Sequence, residues 1–302
     1  MILPFTHPSS TQLLERVKNI FRTKNIRQRK DRHIIFLCGG PIKPRARSVR
    51  NRFLKYSDIA LPQFRIFLAE HASKDLSRHN QPEFVNLADF ESFATEFADC
   101  VIVFPESAGS IAELGYFTHN KKIIRKLLVV NDSNKQNDSF INIGLIDKIN
   151  HKSDFRQTIL IDYKDPEFLT IKQRLLDRLP TQQSSKFVYK QFDKLKSYQE
   201  LFVVFQIVYL FRALKFNNIV YCISEIFGNA REKKIRFLLS ILISAKYIER
   251  AGDDLDYFIP ASNVTPFLEF RSYDINNLIA EILLFYQKVH LESYNIARGA
   301  SS

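Results

Sequence analysis

Five short apolar runs, rich in β-branched and aromatic residues, pace the first half of the chain. They are Ile34–Cys38, Phe64–Leu68, Cys100–Phe104, Leu127–Val130 and Thr158–Ile161. Most are apolar nearly throughout rather than alternating, which suits strands covered on both faces. Helical patterns lie between several of them, at 48–56, 83–97 and 110–120. This alternation predicts an α/β domain with a doubly wound parallel sheet. Ligands of such sheets bind beyond the carboxyl ends of the strands. Those ends are Cys38-Gly39-Gly40, Ala69-Glu70, Pro105-Glu106-Ser107 and Asn131-Asp132.

The flanking regions read differently. Leu13, Leu14, Val17 and Ile20 fall at helical spacing, so residues 1–30 are expected to form a basic N-terminal helix and leader, with 24–32 too polar for a core. The α/β domain is expected over 31–165, and a linker with one short helix over 166–190. A mainly helical domain is expected over 191–302, in which Leu201–Phe211, too short for a bilayer, reads as a buried helix. There, Ile235, Leu238, Leu239, Leu242, Ile243 and Tyr247 mark one apolar face of a helix. A shorter helical run, Val220–Phe227, precedes it and ends near Gly228-Asn229. After it, 247–250 and 257–259 read as a hairpin around the turn 251–254. Helix, turn, helix, hairpin is the order of a winged helix-turn-helix; a helical protein-interaction module is the alternative.

Charge sharpens this picture. The net charge is +12, and the window Arg16–Lys55 holds fourteen Lys/Arg against one acid, Asp31. Such a stretch attracts polyanions, chiefly nucleic acid. The candidate contacts are Arg22, Lys24, Arg27, Arg29, Lys30, Arg45 and Arg47, with Arg231, Lys233, Lys234 and Arg236 at the opening of the second C-terminal helix. The three cysteines, Cys38, Cys100 and Cys222, sit in apolar runs without paired spacing, which fits a reduced, cytoplasmic protein. No Cys/His cluster has zinc spacing, so no metal is expected. A secretory signal is not evident either, and no membrane association is expected.

Candidate chemistry concentrates after two strands. Gly39-Gly40 allows a tight turn and close approach to a phosphate or ribose. In Phe104–Gly115 a strand ends, a loop carrying Ser107, Gly109 and Ser110 follows, and a helix begins. Glu113 lies one turn inside it, where a carboxylate can stabilise or attack an oxocarbenium-like sugar carbon. Ser110-x-x-Glu113 also fits a helix capping box. Glu70, Glu91 and Asp99 are further acids near strand ends, each structural or solvated unless they converge with Glu113.

These residues resemble a known family. Phe36-Leu37-Cys38-Gly39-Gly40, Ala98-Asp99, Phe104-Pro105-Glu106-Ser107-x-Gly109-Ser110-x-x-Glu113-Leu114-Gly115, Arg125-Lys126-Leu127 and Ser139-Phe140-Ile141-Asn142-x-Gly144 look like retron effector proteins of the nucleoside 2-deoxyribosyltransferase-like class. The resemblance covers about residues 33 to 150; the C-terminal part is similar in architecture more than in sequence. It implies a flavodoxin-like, deoxyribosyltransferase-type sheet with a C-terminal winged helix-turn-helix domain. It further implies Glu113 as the catalytic carboxylate, with Cys38, Gly39, Gly40, Glu70, Glu91, Glu106, Ser107, Gly109, Ser110 and Asn142 around the substrate. Implied too is a toxic anti-phage effector held with a reverse transcriptase and its msDNA, in a homo-oligomer or larger assembly. The activity expected is hydrolysis of the N-glycosidic bond of NAD or a related nucleotide, NAD being substrate and no cofactor being needed. The sequence departs from the wider transferase family in lacking an acid-rich base-recognition pattern, which favours hydrolysis over transfer. The alternatives are a nucleoside or deoxynucleotide glycosidase or deoxyribosyltransferase, and a nucleotide-sensing DNA-binding regulator without turnover.

Overall fold

Helix α1 (Pro8–Phe21) and strand β1 (Ile26–Gln28) open the described chain, and both fold with residues far down the sequence. The structure is a computed structural model that describes residues 8–29, 32–43, 46–70, 87–179 and 184–299. It divides into an α/β unit, Arg32–Thr181, and a second unit made of Met1–Asp31 together with Gln182–Ser302.

The α/β unit runs β2 (His33–Cys38), α2 (Val49–Ala60), β3 (Phe64–Phe67), α3 (Leu87–Phe97), β4 (Cys100–Val103), α4 (Ala108–His119) and β5 (Leu127–Asp132). A π-helical segment, Phe140–Ile146, then leads into α5 (Asp147–Lys152), β6 (Ile159–Ile161) and α6 (Leu169–Arg178). The five strands pair in parallel in the order β3-β2-β4-β5-β6. The order reverses at β2, so the carboxyl ends of β2 and β4 flank a topological switch point, where connecting loops diverge and leave a crevice. Cys38 lies beside Val103 at that point.

The apolar runs are explained by burial on both faces. Ile35, Leu37, Ile102, Leu128 and Val130 face a core completed by Val49 and Phe53 of α2 and Ile171 and Leu175 of α6. On the other face Phe36 meets Phe117 of α4, with ring centroids 6.2 Å apart. Each such side chain contributes roughly 1.5–3 kcal/mol by leaving water. Residues 83–86 of the third expected helix lie outside the described residues, as do Lys30 and Arg45.

The second unit continues with β7 (Ser185–Lys186), α7 (Ser197–Phe211), β8 (Leu214–Lys215), α8 (Phe216–Phe227), α9 (Glu232–Ser244), β9 (Ile248–Ala251) and β10 (Tyr257–Pro260). It ends with β11 (Leu268–Phe270), α10 (Ile275–Val289) and α11 (Leu291–Gly299). Helix α7 is buried around nearly its whole circumference, as its continuous apolar run predicts. Strands β8, β10 and β9 form an antiparallel sheet in that order, so the expected hairpin gains a third strand too short to show periodicity.

Residues 8–29 fold into the second unit, more buried than their basic composition suggests. Val17 and Phe21 are fully buried, and Phe21 packs edge-on against Phe227 at 4.9 Å and Phe270 at 5.2 Å. The polar stretch after it supplies the central strand of a second antiparallel sheet, β11-β1-β7. Ile26 and Gln28 point inward, and Gln28 is satisfied by hydrogen bonds with Ser185 (3.0 Å) and Gln199 (3.0 Å). A buried amide with its partners in place carries little cost, which composition alone does not reveal. The short helix expected within 166–190 is α6, which buries Ile171 and Leu175 in the α/β core.

Candidate functional site

The switch point is built around the Glu106 carboxylate. Its Oε1 accepts from the backbone N–H of Gly40 (2.9 Å) and Arg50 (2.9 Å), and its Oε2 from that of Val49 (2.6 Å). The carboxylate therefore sits at the positive N-terminus of α2 and ties the β2 loop to that helix. Gly39 and Gly40 permit this closeness: a Cβ on Gly39 would lie 2.7 Å from Arg50 Cβ, and one on Gly40 2.8 Å from Ser48 Cβ. The anion seat at this helix end, expected from sequence to serve a phosphate, is filled by the protein's own Glu106. Glu106 thus braces the site, because both of its oxygens are committed.

Beside this brace Glu70 pairs with the Arg50 guanidinium, and the carboxyls of Glu91 and Glu113 and the Cys38 thiol feel the same charge. Arg50 is buried; it donates to Glu70 through a short contact and toward the Leu37 carbonyl at 3.4 Å. Glu91 is buried as well, and burial, then Glu113 and Glu70, push its carboxyl up to about 8 despite Arg50. Glu91 therefore holds its proton at neutral pH. Burial also raises Glu113, opposed by a hydrogen bond from Cys38 and by Arg50. Burial and the adjacent Glu113 keep the Cys38 thiol protonated, so it serves as a donor. Among the described residues, Glu113 Oε2 is buried and has no hydrogen-bond partner. Buried acceptors are nearly always satisfied, so an orphan oxygen in a crevice points to an absent ligand or water. Arg50 was missed in the sequence. Its signal is an Arg in the first turn of a helix, where the dipole disfavours a cation.

The other sequence candidates have local duties. Ser107, not Ser110, caps α4. Its Oγ accepts from Ser110 N (3.2 Å), and Ser110 Oγ accepts from Ser107 N (3.0 Å). The capping box therefore closes one turn before Glu113 and leaves that carboxylate free of capping. Gly109 is exposed in the first turn. Asn142 donates to the carbonyls of Lys135 (3.1 Å) and Asn137 (2.7 Å) and accepts from Asn131 (3.1 Å), which pins the loop beyond β5. Asp99 accepts from Ile34 N (2.8 Å), at the end of the sheet opposite Cys38. Among the described residues, no three His, Cys, Asp or Glu side chains form a metal-holding group.

The profile of the STM3845 retron effector protein family matches residues 46–250. The chain belongs to this retron effector family. An Escherichia coli relative named "Retron Ec73 putative ribosyltransferase/DNA-binding protein" is 27% identical over 275 residues, 84% of each chain. The Escherichia coli Retron Ec86 protein of the same description is 35% identical over 161 residues, 50% of this chain and 48% of the relative. The matched range includes Arg50, Glu70, Glu91 and Glu113 and, in the second unit, helices α7, α8 and α9.

The basic window of this retron effector is divided between the two units. Of the fourteen in the window, seven fall in each unit. Arg22 lies over the Tyr189 ring at 5.6 Å, Lys24 and Arg29 are exposed, and Arg27 stands opposite Glu269 in β1. In the α/β unit Arg47 is exposed. At α9, Arg231 and Lys233 are exposed. Lys234 instead pairs with buried Glu200 at 2.6 Å, and Arg236 stacks over Phe216 at 3.6 Å. These two have structural work that the sequence did not announce. None of the described helices is long and apolar enough to cross a membrane.

Proposed function

We propose that the α/β unit is a deoxyribosyltransferase-type domain that hydrolyses the N-glycosidic bond of NAD or a related nucleotide. One observation carries this reading. Glu113 stands at the switch point with a buried, unpartnered oxygen among the described residues, freed from capping by the Ser107–Ser110 pair. In the reaction the N–C1′ bond breaks and its electron pair stays on the nicotinamide nitrogen, which leaves neutral. A water oxygen adds to C1′ and its proton is released, giving ADP-ribose. Glu113 stabilises the positive charge developing at C1′. Arg50 and the Cys38 thiol favour the charged form of Glu113 against the burial that raises its carboxyl, and neutral Glu91 limits the negative charge that the crevice must hold. The second unit, with its α7-β8-α8-α9-β9-β10 order, is read as a winged helix domain that contacts msDNA. The whole acts as the toxic arm of an anti-phage retron, held with its reverse transcriptase until release.

The test is nicotinamide release from NAD by the purified protein, with and without its msDNA and reverse transcriptase, beside Glu113→Gln. Wild-type release with a loss of about 10²–10³-fold or more in the variant is expected. Full activity in Glu113→Gln would remove the carboxylate from the mechanism. The ribosyltransferase names of the two relatives favour a second reading, transfer to an acceptor other than water. Consumption of NAD with a ribosylated acceptor in place of ADP-ribose would select it.

A further inference from the structure

The α/β unit has a second concavity, of about 500 Å³, at the other end of its sheet. Helix α4 starts beyond the carboxyl end of β4 and runs back, so its last turn reaches the amino ends of the strands. Arg125 precedes β5 there, and Asp154 and Arg156 precede β6. Lys121, Arg125, Lys148, Lys152 and Arg156 line the concavity against a single carboxylate, Asp154. Asp154 is taken by Arg125 at 3.4 Å. Among the described residues, Lys121, Lys148, Lys152 and Arg156 have no salt-bridge partner. Favourable helix dipoles account for a cation in the last turn of a helix, such as Lys152 in α5, but not for five around one hollow. Neither Phe nor Tyr lines it, and its charged side chains outnumber its rings, His119 and His151, so backbone contacts outweigh base stacking.

We propose that this concavity binds the phosphodiester backbone of a nucleic acid, by charge and without reading sequence. Lysines on flexible stems serve as point charges for phosphates spaced along a strand. A carboxylate-bearing peptide would be better matched by a set of arginine forks. The site is separate from the Glu113 crevice, and the proposal stands whether or not that crevice cleaves NAD.

The experiment follows a fluorescein-labelled single-stranded oligonucleotide by anisotropy across a salt series, with full-length protein. The variant is Lys121→Gln/Lys148→Gln/Lys152→Gln. The control, Lys55→Gln/Lys164→Gln/Lys172→Gln, removes the same charge from residues that do not line the hollow. Thermal unfolding verifies that both fold. The concavity variant is expected to bind about ten-fold more weakly, with its log–log salt slope reduced by about 2, roughly 0.7 per lost phosphate contact. The control should retain wild-type affinity and slope. The proposal is overturned if the concavity variant matches wild type, if the control loses as much, or if wild type does not bind the oligonucleotide. It is likewise overturned if pyrophosphate or polyglutamate at equal charge displaces the oligonucleotide as well as unlabelled oligonucleotide does.

Discussion

The two units of this retron effector bury charge in opposite ways. In the second unit Glu200 is buried deep in α7 and meets a cation, Lys234, at 2.6 Å. Gln28 and Gln199 likewise satisfy one another there. In the α/β unit Arg50 pairs with Glu70 alone, while Glu91 and Glu113 feel its charge without a contact, and burial together with the neighbouring acids leaves Glu91 its proton. The first arrangement fixes a fold. The second holds like charges together, an unfavourable placement that structural needs do not call for and that sites of chemistry commonly show.

The contrast can be broken by removing each cation. Arg50→Met should have the largest effect, about 2–3 kcal/mol of stability by chemical denaturation, because it removes a buried cation paired with Glu70, discounted because the Glu70 side chain is 45% exposed. It should also lower turnover, since Glu113 loses a nearby positive charge that favours its charged form. Lys234→Met removes the cation facing buried Glu200 and should cost about 1.5 kcal/mol, discounted because Lys234 is about one-third exposed. Turnover should not change with it. Equal effects of the two variants on activity would erase the distinction drawn between the units.

Acidity sharpens it further. Glu91 binds its proton more tightly folded, near 8, than at the ordinary carboxylate value of 4.5. Between those values the folded state holds more protons than the unfolded one. Stability from this group is therefore full below 4.5 and is lost as pH rises toward about 8. Glu91→Gln removes that loss, so its melting temperature should gain on wild type across that window. A constant difference would contradict the protonated state. The smallest expected effect is at the cap: Ser107→Ala should cost about 1 kcal/mol through the start of α4, measured by thermal unfolding.

Much of the α/β unit was legible in the sequence. All five strands lie where the apolar runs lie, because a parallel strand buried on both faces cannot be polar at any position for long. Helices α2 and α4 begin at Ser48 and Ser107, whose side chains accept from backbone N–H groups in the first turn. The second unit was legible where its elements are long, as in α7, α8 and α9. It was misread at β1, where three residues are too few for a period and half of the buried surface is amide. The site was legible by parts. Glu113, Glu70 and Glu91 each stood out as acids near strand ends, yet their spacing of 21 and more residues carries no sign that they meet.

The sequence by itself determined the strand and helix succession and the amphipathic order of the second unit. It also marked a glutamate that follows the loop after the third strand of the α/β unit. These depend on local spacing, which the chain displays directly. Only the tertiary structure decided which carboxylates serve as braces and which stand in the crevice, that Arg50 lies among them, and that the N-terminal segment is core. Those outcomes depend on which donors arrive from distant elements, and a buried charge takes its role from its partners rather than from its neighbours in sequence.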